Sequence, residues 1–182
     1  MRRIETMACL AAVAALCVTV NAQKTTEVHP GKGGSPHVKT EWTIDGANIA
    51  IEYGRPSIKG RTDAALMPLG QPWRTGADEA TLLTTDKPLT FGKLTLAPGT
   101  YTINTQPDAK EWQLIAGKVG KPGQWGIPYN ASLEIGRAPM AIAKTSKAVE
   151  LLTIDVADTP AGGTLKVEWG GNSASAPFTV GK

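Results

Sequence analysis

The sequence has few of the side chains on which most enzyme chemistry depends. Its two cysteines, Cys9 and Cys17, both lie within the first 22 residues, so the rest of the chain has no thiol for a disulfide or a thiolate metal site. Its two histidines, His29 and His37, lie in or beside a segment rich in glycine and proline. A catalytic Ser–His or Cys–His pair needs a firmly held imidazole, so the sequence argues against hydrolases of these types.

Metal binding and charge-driven binding are also weakly supported. His29 and His37 are eight residues apart in a polar stretch, whereas zinc ligands usually have short, convergent spacings, so we expect no metal site and no cofactor. Without Arg2, Arg3 and Glu5, 17 basic and 15 acidic residues remain. This net charge of +2 creates no field that would attract nucleic acid.

The first 22 residues have the layout of a secretion signal. Arg2 and Arg3 precede an apolar run over residues 7–20, and Val20-Asn21-Ala22 is a small-residue cleavage pattern. The run is shorter than the roughly 20 residues of a membrane-spanning helix, and no later segment is long and apolar enough to span a bilayer. Leu16 before Cys17 fits a lipid-attachment signal poorly. We therefore predict a secreted or periplasmic protein in which residues 1–22 are removed and residues 23–35 form a flexible leader.

Alternating apolar residues predict an antiparallel β domain from residue 36 to 182. Two such runs flank Asp45-Gly46, a strong signal for a two-residue hairpin turn, and this turn would pair Trp42 with Ile49. A second hairpin is predicted at Gly92-Lys93. Short runs separated by turn signals every 8–12 residues or so predict an all-β sandwich, jelly-roll or immunoglobulin-like, of eight to ten strands with little or no helix.

Two irregular segments, residues 54–81 and 117–130, interrupt this pattern. Long loops within a compact domain are usually functional or disordered, and each of these contains a tryptophan, Trp73 or Trp125. An aromatic side chain in such a loop serves either as a stacking platform for a ligand or as a plug for the end of the sandwich. The other tryptophans, Trp42, Trp112 and Trp169, fall on the inward phase of their strands and are predicted to be core.

Five motifs, three of them in these segments, resemble those of a known protein family. They are GRPSIKGR at residues 54–61, PWRTGADEAT at 72–81, PGTY at 98–101, QWG at 124–126 and Ser35-Pro36. In these motifs the chain resembles the secreted bacterial family known as domain of unknown function 2911. The resemblance implies an exported β domain and brings no established activity, so no catalytic residue can be transferred. Asp78 departs from the family pattern, which more often has Asn there.

The candidate site is a cluster of basic and aromatic residues on these loops. We expect it to bind a carbohydrate or an acidic small molecule without catalysis. The ligand-binding candidates are Arg55, Lys59, Arg61, Trp73, Arg74 and Trp125. Asp78 and Glu79 are the carboxylates expected to pair internally with Arg74 or Arg55, because arginine is suited to bidentate pairing in partly buried positions.

Two other functions remain open at this point. The first is a structural or envelope-associated protein in which the arginine–carboxylate pairs only hold the long loops. The second is an enzyme of uncharacterised type, and Ser57 with Lys59 is its weakest variant because a Ser–Lys pair usually has one more residue between its members. No partner beyond a small molecule or glycan is indicated, and no oligomeric state is predicted.

The cleavage pattern gives the first testable prediction. Intact-mass analysis of the exported protein should give the mass of residues 23–182, because the Val-x-Ala pattern directs processing after Ala22. A mass that includes residues 1–22, or a lipid adduct on Cys17, would contradict the predicted processing.

Overall fold

The computed structural model of the protein describes residues 23–31, 33–120 and 129–182. These residues form ten antiparallel strands, one single-turn helix and one 3-10 turn. The strands are β1 (Lys24–His29), β2 (His37–Ile44), β3 (Ala47–Gly54), β4 (Ala77–Thr85), β5 (Leu89–Phe91), β6 (Leu94–Leu96), β7 (Gly99–Gln106), β8 (Trp112–Lys118), β9 (Glu134–Thr159) and β10 (Gly162–Val180); the helix α1 is Asp63–Leu66 and the 3-10 turn is Ala131–Leu133. The predicted all-β antiparallel fold is confirmed.

The sheet has the order β1-β2-β3-β4-β7-β8-β9-β10-β5-β6 and is continuous through two long strands. The first part of β9 pairs with β8, its later part pairs with β10, and the end of β10 pairs with β5. The two halves of this sheet enclose one apolar core, and the hydroxyl of Tyr53 on β3 accepts a 2.9 Å hydrogen bond from the main-chain N–H of Ile154 on β9. This arrangement is the predicted sandwich.

The predicted hairpin registers are confirmed. In the β2–β3 hairpin Trp42 lies opposite Ile49 and Ile44 opposite Ala47, and all four residues are at most 4 % exposed. In the β5–β6 hairpin Leu89 pairs with Leu96 and Phe91 with Leu94. The core position of Trp42, Trp112 and Trp169 is also as predicted, since each of them is buried.

The segment predicted as a flexible leader differs from that expectation. Residues 24–29 form β1, which pairs with β2 at the edge of the sheet and brings His29 opposite His37. Five of the six β1 residues are exposed, so main-chain hydrogen bonds hold the strand rather than an apolar face. A strand without a buried face has no apolar alternation, and its sequence therefore resembles that of a loop. Among the described residues, no helix is long and apolar enough to cross a membrane.

The turn of the β2–β3 hairpin generates a prediction about stability. Asp45 and Gly46 have φ angles of 48° and 73°, as a two-residue type I′ turn requires. Gly46→Val should lower the free energy of unfolding by about 1–3 kcal/mol because a β-branched residue is strained at positive φ. Gly46→Asn is the control, because Asn tolerates this conformation. Urea unfolding of both variants provides the measurement, and equal stability of the two would show that the turn is not the constraint.

Candidate functional site

The loop that carries the first motif is attached to the later part of β9. Between Glu168 and Gly170 the β9–β10 register shifts, so that residues 150–152 of β9 lie opposite Trp169 alone. The loop pairs with main-chain groups there: the Ile58 N–H donates to the Glu150 carbonyl at 2.9 Å and the Leu152 N–H donates to the Pro56 carbonyl at 3.0 Å. The motif at residues 54–61 therefore completes an interrupted part of the sheet.

The arginines of this loop donate their hydrogen bonds to groups within the domain. Arg55 donates from Nε to the Leu152 carbonyl at 3.0 Å and from Nη2 to Oγ1 of Thr153 at 2.9 Å. Arg61 donates to the carbonyls of Ile58 and Ser57, and its guanidinium lies 5.8 Å from the ring centroid of Trp169. These two predicted ligand-binding residues hold the loop in place.

Ser57 and Lys59 do not form a Ser–Lys pair. The Ser57 hydroxyl donates to the carboxylate of Glu150, and the Lys59 main-chain N–H donates to the same oxygen at 3.1 Å. These hydrogen bonds, first that of Ser57, lower the pKa of Glu150. The Lys59 side chain is exposed. The Ser57 hydroxyl is therefore directed to the Glu150 carboxylate rather than to the Lys59 amine.

Trp73 covers the core instead of standing free in its loop. Its ring stacks on that of Trp169 with a centroid distance of 5.6 Å and an interplanar angle of 7°, and its main chain exchanges two hydrogen bonds with Thr105. Of the two interpretations from the sequence, this contact favours the plug. Trp125 lies outside the described residues.

Arg74 lines a groove of about 560 Å³ over strands β7 and β8. The floor comes from β7 and β8, where Asn104 lies opposite Ile115 and Thr102 opposite Gly117. Ile115 is 1 % exposed although it is not part of the apolar core, which shows that this face is covered. The described residues with a polar side chain that line the groove are Arg74, Thr81, Thr102, Asn104, Lys118, Tyr129, Asn130 and Glu134.

A network that the sequence did not reveal closes one end of this groove. Arg137 donates from Nε and Nη2 to the two carboxylate oxygens of Glu134 at 2.8 and 2.9 Å, and from Nη1 to Gln106 at 2.7 Å. The Tyr129 hydroxyl donates to Glu134 and accepts from Arg137. The Arg137 hydrogen bonds lower the pKa of Glu134, and the bond to Glu134 raises the pKa of Tyr129.

A register shift explains why the pairing of Glu134 with Arg137 was missed. Residues three apart on a regular strand point to opposite faces. Between β8 and β9, however, Ala116 lies opposite Gly136 while the next residue, Gly117, lies opposite Glu134. The extra residue, Ile135, forms a bulge that returns Glu134 to the face of Arg137.

The expected pairing of Arg74 with Asp78 or Glu79 is wrong. Arg74 donates from Nε to the Gly76 carbonyl at 3.3 Å, and within the described ranges its guanidinium contacts no carboxylate. The reason is a wide bulge in β4: Gly54 lies opposite Ala77 and Glu52 opposite Leu82, so residues 78–81 have only Tyr53 across from them.

Within this bulge both carboxylates approach the connection between β1 and β2. Asp78 has a φ of 63°, a conformation that Asn and Asp adopt more readily than most residues. A Cβ atom built on Gly31 would lie 2.8 Å from Oδ2 of Asp78. Glu79 lies 3.6 Å from Nε2 of His29 and 3.2 Å from Nδ1 of His37. The histidines thus take the place predicted for the arginines.

Comparison with known proteins identifies a family. A sequence model described as a protein of unknown function (DUF2911) matches residues 35–178, which is most of the chain. The chain belongs to this family. No curated protein and no solved structure matched it. The DUF2911 match includes the groove, His37 and Glu79, and it begins after β1 and His29.

The Glu134–Arg137 pair generates a prediction about pH dependence. Arg137→Gln should lower the free energy of unfolding by about 1 kcal/mol at pH 7, because it removes a bidentate pair that is about one-third exposed on the arginine side. The pair holds the pKa of Glu134 in the folded protein below its usual 4.5. The stability that the pair contributes is therefore fully present above pH 4.5 and is lost as the pH falls through the lower folded-state pKa.

The difference in the free energy of unfolding between the wild type and Arg137→Gln, measured in urea, should therefore become smaller as the pH falls from 7 to 3. Lys93→Gln is the matched control because it removes an exposed cation without a carboxylate partner in the described part of the chain. A difference that is as large at pH 3 as at pH 7 would contradict the ionic role of the pair.

Proposed function

We propose that this protein is an exported, non-catalytic binding module whose groove beside Arg74 takes an acidic saccharide. The observation that carries the proposal is the half-buried Arg74 guanidinium, which lines the groove and, among the described residues, has a single main-chain acceptor and no carboxylate. The planar fork of an arginine matches a carboxylate bidentately. A ligand with one carboxylate would supply the partner that Asp78 and Glu79 do not.

The rest of the lining favours a sugar over a simple acid. Thr102 and Asn104 offer hydroxyl and amide groups on the floor, and the partly exposed Leu133 offers apolar contact. This mixture of an apolar surface with a few placed polar groups is typical of small-molecule sites, as is a volume of several hundred Å³. Lys118 adds a second cation at the rim. The combination suits a short oligosaccharide that contains a uronic acid.

Two observations weigh against the alternatives for this groove. A purely structural role accounts for Arg55 and Arg61, whose donors are satisfied within the domain, but it does not account for Arg74. An enzyme that uses acid–base chemistry would need a free carboxylate. Glu134, the acidic residue among the described lining residues, is held by Arg137 and Tyr129 with a lowered pKa, which makes it a weak base.

Calorimetric titration with matched saccharides tests the proposal. We expect the wild type to bind a galacturonate trisaccharide and not the neutral galactose trisaccharide of the same linkage. Arg74→Ala should weaken the binding at least about tenfold, because a charge-assisted bidentate contact is lost. Arg74→Lys should retain part of the affinity, since lysine keeps the positive charge but lacks the planar guanidinium that contacts both carboxylate oxygens. Equal binding of both trisaccharides, no binding of either, or unchanged binding by Arg74→Ala would overturn the proposal.

Stability of the same variant provides the control. Arg74→Ala should lower the free energy of unfolding in urea by less than about 1 kcal/mol, because no buried carboxylate among the described residues loses its partner. Lys93→Ala should affect neither binding nor stability. A loss of about 3–5 kcal/mol on Arg74→Ala would instead indicate a buried internal ion pair.

A further inference from the structure

We infer that His29, His37 and Glu79 form a binding site for a transition-metal ion of the zinc class. The three residues come from β1, β2 and β4, so the site exists only in the folded chain. One ligand atom from each lies within 4.8 Å of the other two. This site is separate from the groove and independent of the function proposed for it.

The spacing of the ligand atoms suits a small ion. Zinc bonds of about 2.1 Å in tetrahedral geometry place neighbouring ligand atoms about 3.4 Å apart. The observed distances are 3.2 Å from Oε2 of Glu79 to Nδ1 of His37 and 3.6 Å from Oε1 of Glu79 to Nε2 of His29, so each imidazole faces a different oxygen of one carboxylate. The two imidazole rings are stacked with a centroid distance of 4.6 Å and an interplanar angle of 9°, so their in-plane lone pairs run parallel, and the partly exposed His29 ring must rotate for both nitrogens to coordinate one ion.

The burial of these atoms points to a ligand. The His37 side chain is 2 % exposed, and its Nδ1, like Oε2 of Glu79, is a buried polar atom without a hydrogen-bond partner among the described residues. The two atoms are within ion-pair distance of each other, but their orientation makes no hydrogen bond. Buried polar groups are normally satisfied, and leaving two of them unpaired is costly. A cation between them satisfies both.

The surrounding hydrogen bonds prepare His37 for this role. Its other nitrogen, Nε2, lies 3.2 Å from Oε1 of Glu52, and because a carboxylate only accepts, Nε2 carries the hydrogen of this bond. The lone pair of Nδ1 is then directed towards Glu79. A carboxylate behind the ligating histidine fixes the ring and its tautomer at many metal sites, and Glu52 has this position here.

His29 makes the site adjustable rather than rigid. Its Nδ1 accepts a 3.1 Å hydrogen bond from the Gly31 N–H, while Nε2 faces Glu79. Coordination through Nε2 requires the ring proton to reside on Nδ1, so the Gly31 bond must be released when the ion binds. We therefore expect the backbone at Gly31 to shift on binding. The exposure of His29 and Glu79, 36 % and 23 %, gives the ion access.

The donor set selects the class of ion. Two imidazoles and one carboxylate suit Zn²⁺, Cu²⁺ or Ni²⁺ and disfavour Mg²⁺ and Ca²⁺, which prefer oxygen ligands only. Three protein ligands leave a fourth position for water or for an external group. Because His29 lies on β1, an ion in this site also links the edge strand to the body of the sheet.

Zinc titration of untagged protein, first stripped with EDTA, tests the inference. We expect one Zn²⁺ per chain, no response to Mg²⁺, and an increase in melting temperature on zinc addition, since an ion that binds only the folded chain stabilises it. With Co²⁺ as a probe, the visible absorption bands of a low-symmetry site should appear. Failure to bind zinc, or equal binding of Mg²⁺, would overturn the inference.

Matched variants on β1 separate the site from adventitious binding. His29→Gln should weaken zinc binding by more than about tenfold and abolish the Co²⁺ bands, and it should fold because its side chain is partly exposed on an edge strand. Glu27→Gln, on the same exposed strand, should bind zinc as the wild type does. Glu79→Gln gives a second ligand test that does not alter β1. Equal zinc affinity of His29→Gln and Glu27→Gln would overturn the assignment.

Discussion

Main-chain pairing along β9 holds the two layers of this protein in one sheet. The strand pairs first with β8 and then with β10, and the apolar core forms between the layers that it joins. Where the β9–β10 pairing is interrupted, opposite Trp169, main-chain groups of Glu150 and Leu152 become available to the loop at residues 54–61. The position of this loop, the stacking of Trp73 on Trp169 and the use of Arg55 all follow from that interruption.

Much of the fold could be predicted because the alternation of apolar residues reports which face of a strand is buried. The Asp45-Gly46 turn also fixed the register of its hairpin, since the turn and the alternation agree. Alternation does not report which strand becomes the neighbour, so the placement of β5 and β6 beside β10 could not be predicted. β1 was missed because it has no buried face.

The sites were harder to predict because they depend on irregular backbone. The residue types drew attention to the loops at residues 54–61 and 72–81, but Arg55 and Arg61 donate to the protein's own carbonyl groups, whereas Arg74 lines the groove. Bulges in β4 and β9 move carboxylates to faces that a regular strand would not give them. A sequence pattern with a period of two residues has no signal for an inserted residue of this kind.

The position of β1 also affects how separate copies of the chain meet. As the outermost strand it covers the N–H and C=O groups of β2, and it carries Lys24 and Glu27 along its exposed length. Charged, solvated edge strands discourage the addition of a strand from another molecule. Proteolytic loss of residues 23–29 would expose the edge of β2, whose inward residues Trp42 and Ile44 belong to the core. In the folded domain residues 24–29 thus occupy the edge of β2 at which a strand from another molecule could otherwise pair.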